Sequence, residues 1–119
     1  MGFREHLQEV CRNVEGAVAC SLMGGDGIEV DTHLNDGGEV DLRTLIVEYS
    51  AILRSARDAA EANQAGGVAE ISISTDKLIA VARVISPEYF MVVALTPDGN
   101  FGKARYYLRV TAPKLLAEL

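Results

Sequence analysis

Apolar positions recur at helical intervals in three parts of the chain. Between residues 2 and 13 they are three and four residues apart, which predicts an amphipathic helix ended by Gly16. The longest helical pattern covers residues 42–63, with Asp41 placed as its N-cap. The predicted apolar face of this long helix is Leu42, Leu45, Ile46, Tyr49, Leu53, Ala56 and Ala60. A third helix is predicted from about Asn100, and Pro113 is expected to kink or restart it because proline has no N–H to donate.

Five other segments have strand patterns. Residues 17–23, 78–86 and 89–96 are strongly apolar and do not alternate, which is typical of strands covered on both faces, so we place them in the centre of a sheet. Residues 28–34 and 68–75 alternate apolar and polar positions, so we place them at the edges. The order α-β-β-α-β-β-β-α predicts an α+β sandwich. It has a five-stranded, mainly antiparallel sheet with helices on both faces, in one domain of residues 1–119.

The glycine-rich stretch SLMGGDGIEVD, residues 21–31, joins two of these strands. A phosphate-binding P-loop needs a lysine and a Ser or Thr after its last glycine, at the start of a helix. Here Gly27 is followed by a strand, whose apolar side is predicted to hold Ile28, Val30, Thr32 and Leu34. Asp26-Gly27 is a favoured hairpin turn, because both residue types tolerate positive φ. The glycines are therefore predicted to turn the chain, not to bind a nucleotide.

The formal charge of −6 is unevenly distributed. Residues 24–41 contain six acidic residues and no lysine or arginine, whereas residues 101–119 carry a net charge of +3. An acidic protein repels phosphates on average, so we expect no nucleic-acid partner. The acidic segment lacks the ligand spacing of a calcium loop and is interpreted as a solvated loop.

No catalytic or metal-binding constellation is recognisable in the sequence. His6 and His33 lack metal-ligand spacing with Cys11 or Cys20, and both thiols are expected to be buried and reduced. We expect no cofactor, no bound metal and no enzymatic activity. The absence of an apolar run of about 18 residues predicts no membrane insertion, and the expected location is the cytoplasm.

A row of mostly small residues follows the back of the long predicted helix, opposite its core face. We call it the helix seam; its members are Thr44, Val47, Ala51, Ser55, Asp58 and Ala62. Small residues at this spacing let a second, nearly parallel or antiparallel helix approach closely. The alternative is an exposed face on which alanine serves helix propensity alone.

The edge strand 68–75 gives a second indication of self-association. It has no proline, and its only charge is Glu70, so little protects it from pairing with a copy of itself. A two-fold homodimer in which these strands and helices meet would explain both features. Ile71 and Ile73, with the helix seam, are the predicted interface residues.

The sequence resembles the Roadblock / dynein light chain family, and within it the bacterial regulators of the MglB type. The residues that carry this resemblance are VEGAVACSLMGGDGIEV, residues 14–30, and FMVVALTPDGNFGKARYYL, residues 90–108. The second stretch includes a helix that opens with a Gly-x-x-Arg step at Gly102 and Arg105. Pro113 within the last helix departs from the family pattern.

The resemblance implies a non-enzymatic homodimer, built through the third strand and second helix, that binds a Ras-like small GTPase. It would regulate or scaffold the GTPase cycle, with no arginine supplied in trans by MglB-type members. Arg43, Arg54 and Arg57 on the long helix are then the candidate GTPase contacts. The alternatives are a small-ligand sensor, for which Arg83 and Ser86 are candidate inward-pointing polar residues, and an architectural subunit of a larger assembly.

Overall fold

The computed structural model describes residues 2–35 and 40–119 and contains eight elements in the predicted order. The helices are α1 (Phe3–Asn13), α2 (Leu42–Ala62) and α3 (Phe101–Leu116). The strands are β1 (Ala17–Gly24), β2 (Glu29–Leu34), β3 (Glu70–Ser74), β4 (Ile79–Ser86) and β5 (Tyr89–Leu95). The predicted fold class is confirmed.

The five strands form one antiparallel sheet in the order β2-β1-β5-β4-β3. The strongly apolar strands β1, β5 and β4 therefore lie in the centre, and the alternating strands β2 and β3 form the two edges, as predicted. A central strand presents both faces to covering helices, so apolar side chains are favoured at every position, whereas an edge strand is covered less completely.

Helices cover both faces of the sheet. On one face, α1 and α3 pack over residues of β1, β4 and β5, including Leu22, Val81 and Val93, and bury the larger core cluster. On the other face, α2 packs over Met23, Phe90 and Val92. The two clusters use alternate positions of the same central strands, because successive strand side chains point to opposite faces.

The buried stripe of α2 is narrower than its predicted apolar face. Leu42, Ile46 and Leu53 are buried, as predicted. Leu45, Tyr49, Ala56 and Ala60 are only half-buried, whereas Ser50 is fully buried and was not predicted to be. The hydroxyl of Ser50 donates to the carbonyl of Val47, so its burial leaves no unpaired donor.

Side chains cap two of the helices, at Asp41 as predicted and at Asn100. The Asp41 carboxylate accepts from the Thr44 hydroxyl at 2.8 Å and from the Thr44 amide at 3.2 Å, and these bonds lower the pKa of Asp41. The Asn100 side chain accepts from the Lys103 amide at 3.0 Å and begins α3. Each cap satisfies a backbone N–H that has no partner within its helix.

Pro113 does not restart α3, contrary to the sequence-based expectation, since the helix continues past it to Leu116. Proline removes the N–H that would bond to the carbonyl of Arg109, four residues earlier. Arg109 is on the exposed side of the helix. Water can therefore take the place of the missing donor, and only one turn of helix lies beyond the proline.

Residues 24–27 form a hairpin turn between β1 and β2, as predicted. The Gly27 amide donates to the carbonyl of Gly24 at 2.9 Å, and Gly27 has a φ of +89°. A Cβ on Gly27 would lie 2.9 Å from the Ser50 hydroxyl oxygen. Glycine is thus required here both for the left-handed backbone and for the close approach of the turn to α2.

Candidate protein–protein interface

The outer edge of β3 has no neighbouring strand among the residues that the structure describes. β3 pairs with β4 on its inner side, where Ile71 lies opposite Ala82 and Ile73 opposite Ala80. The one charge on the strand, Glu70, accepts from Arg105 Nε at 2.7 Å and lies 3.8 Å from Arg83 Nη1. The edge therefore presents no unpaired charge that would repel a second strand.

The helix seam is fully accessible in this chain. All six of its residues are exposed, and Val47 retains 46% of its accessible surface. The seam points away from the sheet, so nothing in the described part of the chain packs on it. This position is compatible with the predicted helix partner and also with an ordinary solvated face.

A second apolar side of α2 faces the open β3 edge. Tyr49 is half-buried and shares a shallow groove with Ile71, Ile73 and Phe90. Ile52 lies three residues after Tyr49, on the same side of the helix, and is 45% exposed. These two residues extend the candidate interface towards β3. The sequence reasoning missed Ile52 and assigned Tyr49 to the core, although the spacing of Leu45, Tyr49 and Ile52 follows a helical stripe of its own.

The three predicted contact arginines have different environments. Arg43 is exposed and lies 3.6 Å from a Glu29 carboxylate oxygen through its Nε. Arg54 Nη1 donates to the carbonyl of Gly25 at 3.2 Å, and Arg57 Nη2 donates to the carbonyl of Pro87 at 3.1 Å. Arg54 and Arg57 thus connect α2 to the β1–β2 and β4–β5 turns. Of the three, Arg43 is the most available to a partner.

An open groove of about 450 Å³ lies between these two turns. The turns are joined by the Gly25 amide, which donates to the carbonyl of Glu88 at 2.7 Å. The groove combines apolar Ile28 and Val30 with the carboxylates of Asp26 and Glu88. Ile28 is 66% exposed, a large value for an isoleucine.

The exposure of Ile28 corrects the prediction for the apolar side of β2. Of the residues predicted on that side, only Thr32 is buried, and its hydroxyl lies 2.7 Å from that of Ser21. Ile28 precedes β2, and Val30 falls at an irregularity in the β1–β2 register that disturbs the alternation. Leu34, at the far end of the strand, is also exposed. In the acidic segment beside this edge, Asp36 and Glu39 lie outside the described residues.

The interior offers little chemistry. Cys11 and Cys20 are buried and unpaired; burial raises the pKa of Cys11 to about 12 and raises the pKa of Cys20 well above its usual value. Both thiols are therefore protonated at neutral pH and poor nucleophiles. The shallow groove beside Tyr49 has a free volume of about 10 Å³, which leaves room for one water at most.

The polar side chains raised by the alternative functions are also accounted for. Arg83 is 28% exposed and lies beside Glu70, so it does not point into a cavity. His6 is buried, and its Nε2 lies 3.3 Å from a carboxylate oxygen of Glu118. In the described residues, no group of three or more His, Cys, Asp and Glu side chains could hold a metal ion, and no helix is long and apolar enough to cross a membrane.

The fold and the site define a class of protein: an α+β sandwich with an open sheet edge beside an accessible helix, and with its candidate binding surfaces exposed. Three solved structures of this class are similar to the chain. MglC from Myxococcus xanthus is 54% identical over 100% of both chains, with a TM-score of 0.72. The Roadblock/LC7 domain from Streptomyces avermitilis is 12% identical over 99% of this chain and 98% of that one, with a TM-score of 0.86. Myxococcus xanthus MglB is 11% identical over 100% of both chains, with a TM-score of 0.80.

The chain belongs to the Roadblock/LC7 family, in which its similarity in sequence is to MglC. The resemblance to this family that the sequence indicates is confirmed. The likeness to MglB, at 11% identity, shows the fold alone. No protein-family model and no curated protein sequence matches the chain.

Proposed function

We propose that this chain is a non-enzymatic, homodimeric interaction module that binds a Ras-like small GTPase and regulates or scaffolds its GTPase cycle. One observation carries the proposal: the open edge of β3 and the accessible apolar side of α2 lie next to each other on the same sheet edge. Membership of the Roadblock/LC7 family adds support, because the resemblance implies this assembly and this partner class.

A two-fold axis beside β3 would satisfy both surfaces at once. Pairing of two β3 strands would supply partners for the open backbone groups of each edge. The same axis would bring the two α2 helices together on one face of the doubled sheet, so that Ile52 and Tyr49 of each copy cover the groove lined by Ile71 and Ile73. Such an interface is isologous, since each copy contributes the same residues.

The α2 side of this dimer is the proposed docking face for the GTPase. Arg43 is its candidate contact, because its guanidinium is exposed and its ion pair with Glu29 is weak enough to exchange. Arg54 and Arg57 are bonded to backbone carbonyls of their own chain. This disfavours Arg54 and Arg57 as residues that enter the GTPase site, since releasing either side chain would loosen a turn.

The test uses the purified chain and the Ras-like GTPase of the same organism, loaded with GTP or GDP. We expect saturable binding in calorimetry, weakened about tenfold by Arg43→Glu, because charge reversal of an interface contact typically removes more than 1.4 kcal/mol. Arg12→Glu is the matched control, since Arg12 is an exposed arginine of α1 on the opposite face of the sheet.

Single-turnover hydrolysis measured in parallel separates regulation from scaffolding. A changed rate of GTP hydrolysis supports regulation, and binding with an unchanged rate supports scaffolding. A GTPase whose binding and hydrolysis are both indifferent to this chain would refute the proposed partner class.

A further inference from the structure

The charge of α3 is opposite to that of the rest of the protein. The helix contains Lys103, Arg105, Arg109 and Lys114 and no acidic residue, so it carries +4. The whole chain carries −6, so the remaining residues carry −10. A helix of this charge on an acidic protein is an isolated positive surface about 24 Å long, at 1.5 Å per residue.

Part of this charge is not compensated inside the chain. Lys103 pairs with Glu15 at 3.2 Å, and Arg105 pairs with Glu70 at 2.7 Å. Arg109 and Lys114 have no acidic partner among the described residues. The exposed surface of α3 therefore has at least two positive charges available to another molecule.

Exposed aromatic rings lie beside these charges. Phe101 is 36% exposed and Tyr106 is 48% exposed. The guanidinium carbon of Arg105 lies 5.7 Å from the ring centroid of Phe101, and that of Arg109 lies 5.6 Å from the ring centroid of Tyr106. Stacking on a ring restricts each arginine to a few orientations, so less side-chain entropy is lost when a carboxylate binds.

Gly102 gives an independent indication of a partner. It is in the first turn of α3, where glycine is less favourable than alanine. A Cβ at this position would meet only the Asn100 side-chain oxygen, at 3.9 Å, so packing within the described chain does not require glycine. An exposed glycine beside a charged and aromatic stripe allows the backbone of another molecule to approach closely.

We propose that this surface of α3, which we call the α3 outer face, binds an acidic protein segment that also carries apolar side chains. Its residues are Phe101, Gly102, Arg105, Tyr106, Arg109 and Leu116. Carboxylates of the segment pair with Arg109, and its apolar side chains cover the rings and Leu116, which is 48% exposed. The α3 outer face lies across the sheet from α2, so this binding does not depend on the proposed GTPase docking face.

Charge distribution selects a protein segment over a phosphate-rich surface. A membrane or a nucleic-acid duplex is much wider than one helix and would bring many phosphates close to the acidic remainder of the chain, which repels them. A single acidic segment contacts α3 alone. The positive charge of α3 therefore attracts a narrow partner. For a broad partner, the acidic remainder of the chain offsets this attraction.

The direct test is binding of a fluorescein-labelled amphipathic peptide of about 18 residues, with glutamate on one helical face and leucine on the other, measured by anisotropy with the full chain. We expect saturable binding that weakens at least tenfold with Arg109→Glu and weakens as salt increases. Arg12→Glu, an equally exposed arginine on the neighbouring helix α1, should leave the affinity within twofold. If both substitutions weakened peptide binding equally, the effect would come from the net charge of the chain alone, and the proposal would be overturned.

A second variant separates binding from folding. Gly102→Gln should raise the unfolding temperature, because it replaces glycine in a helix, while it weakens peptide binding by obstructing close approach. A Gly102→Gln chain that binds the peptide as well as the unmodified chain would contradict the close-approach argument.

The alternative partners are outcomes of the same experiment. Failure of the unmodified chain to bind the acidic peptide overturns the proposal. So does tighter, Arg109-dependent binding to phosphatidylserine vesicles or to duplex DNA, or Arg109-dependent self-association in sedimentation without peptide binding.

Discussion

At the scale of single residues, two glycines allow the start of β1 to contact the turn before α3. Gly16 has a φ of +86°, and a Cβ on it would lie 2.6 Å from the Cα of Gly99. A Cβ on Gly99 would lie 2.8 Å from the carbonyl oxygen of Glu15. The start of β1 and the turn before α3 are therefore in contact through backbone alone, and Asn100 donates its amide to the same Glu15 carbonyl at 2.9 Å.

We predict that Gly16→Ala lowers the free energy of unfolding by roughly 3 kcal/mol, because left-handed strain and a backbone clash act together. Gly66→Ala is the matched control: Gly66 has a φ of +88°, but a Cβ there would have nothing within 4 Å. Its loss should be about 1 kcal/mol, from strain alone. Urea denaturation of both variants gives the comparison, and equal losses would show that the contact with Gly99 is unimportant.

At the scale of elements, α2 is attached to the sheet by a narrow apolar stripe and by two arginines. Buried apolar contacts come from Leu42, Ile46 and Leu53. Arg54 and Arg57 then connect the second half of the helix to the two hairpin turns. This attachment leaves the Tyr49–Ile52 side of the helix uncovered, which is the side that the proposed dimer uses.

We predict that Arg54→Met lowers the free energy of unfolding by about 1 kcal/mol, because methionine keeps much of the packing but loses the bond to the Gly25 carbonyl. Arg43→Met should change it by no more than about 0.5 kcal/mol, since its ion pair is exposed. Chemical denaturation measures both. A loss at Arg43 as large as that at Arg54 would show that the bond to the turn has no special role.

At the scale of the whole molecule, most of the architecture could be predicted because it depends on local pattern. The central position of β1, β4 and β5 and the edge position of β2 and β3 followed from which strands are strongly apolar and which alternate, and the Asp41 cap followed from residue type. The exposure of Ile28 could not be predicted, because a register irregularity between β1 and β2 interrupts the alternation.

The candidate interface was predicted less completely for a related reason. Helical periodicity identifies which residues of α2 share a side, but not which sheet edge that side faces. Tyr49 was therefore assigned to the core and Ile52 was overlooked. The bonds of Arg54 and Arg57 join residues about 30 positions apart, and no local pattern records such contacts.

The mass of the chain in solution tests the central claim most directly. Light scattering after size exclusion should give twice the 12.8 kDa of one chain. Ile52→Glu should shift the protein to the single-chain mass without loss of helical signal, because its side chain is exposed within one chain. Ile28→Glu, an exposed isoleucine next to the opposite sheet edge, should leave the doubled mass unchanged. If the unmodified protein has the mass of a single chain throughout the micromolar concentration range, the proposed homodimer is contradicted.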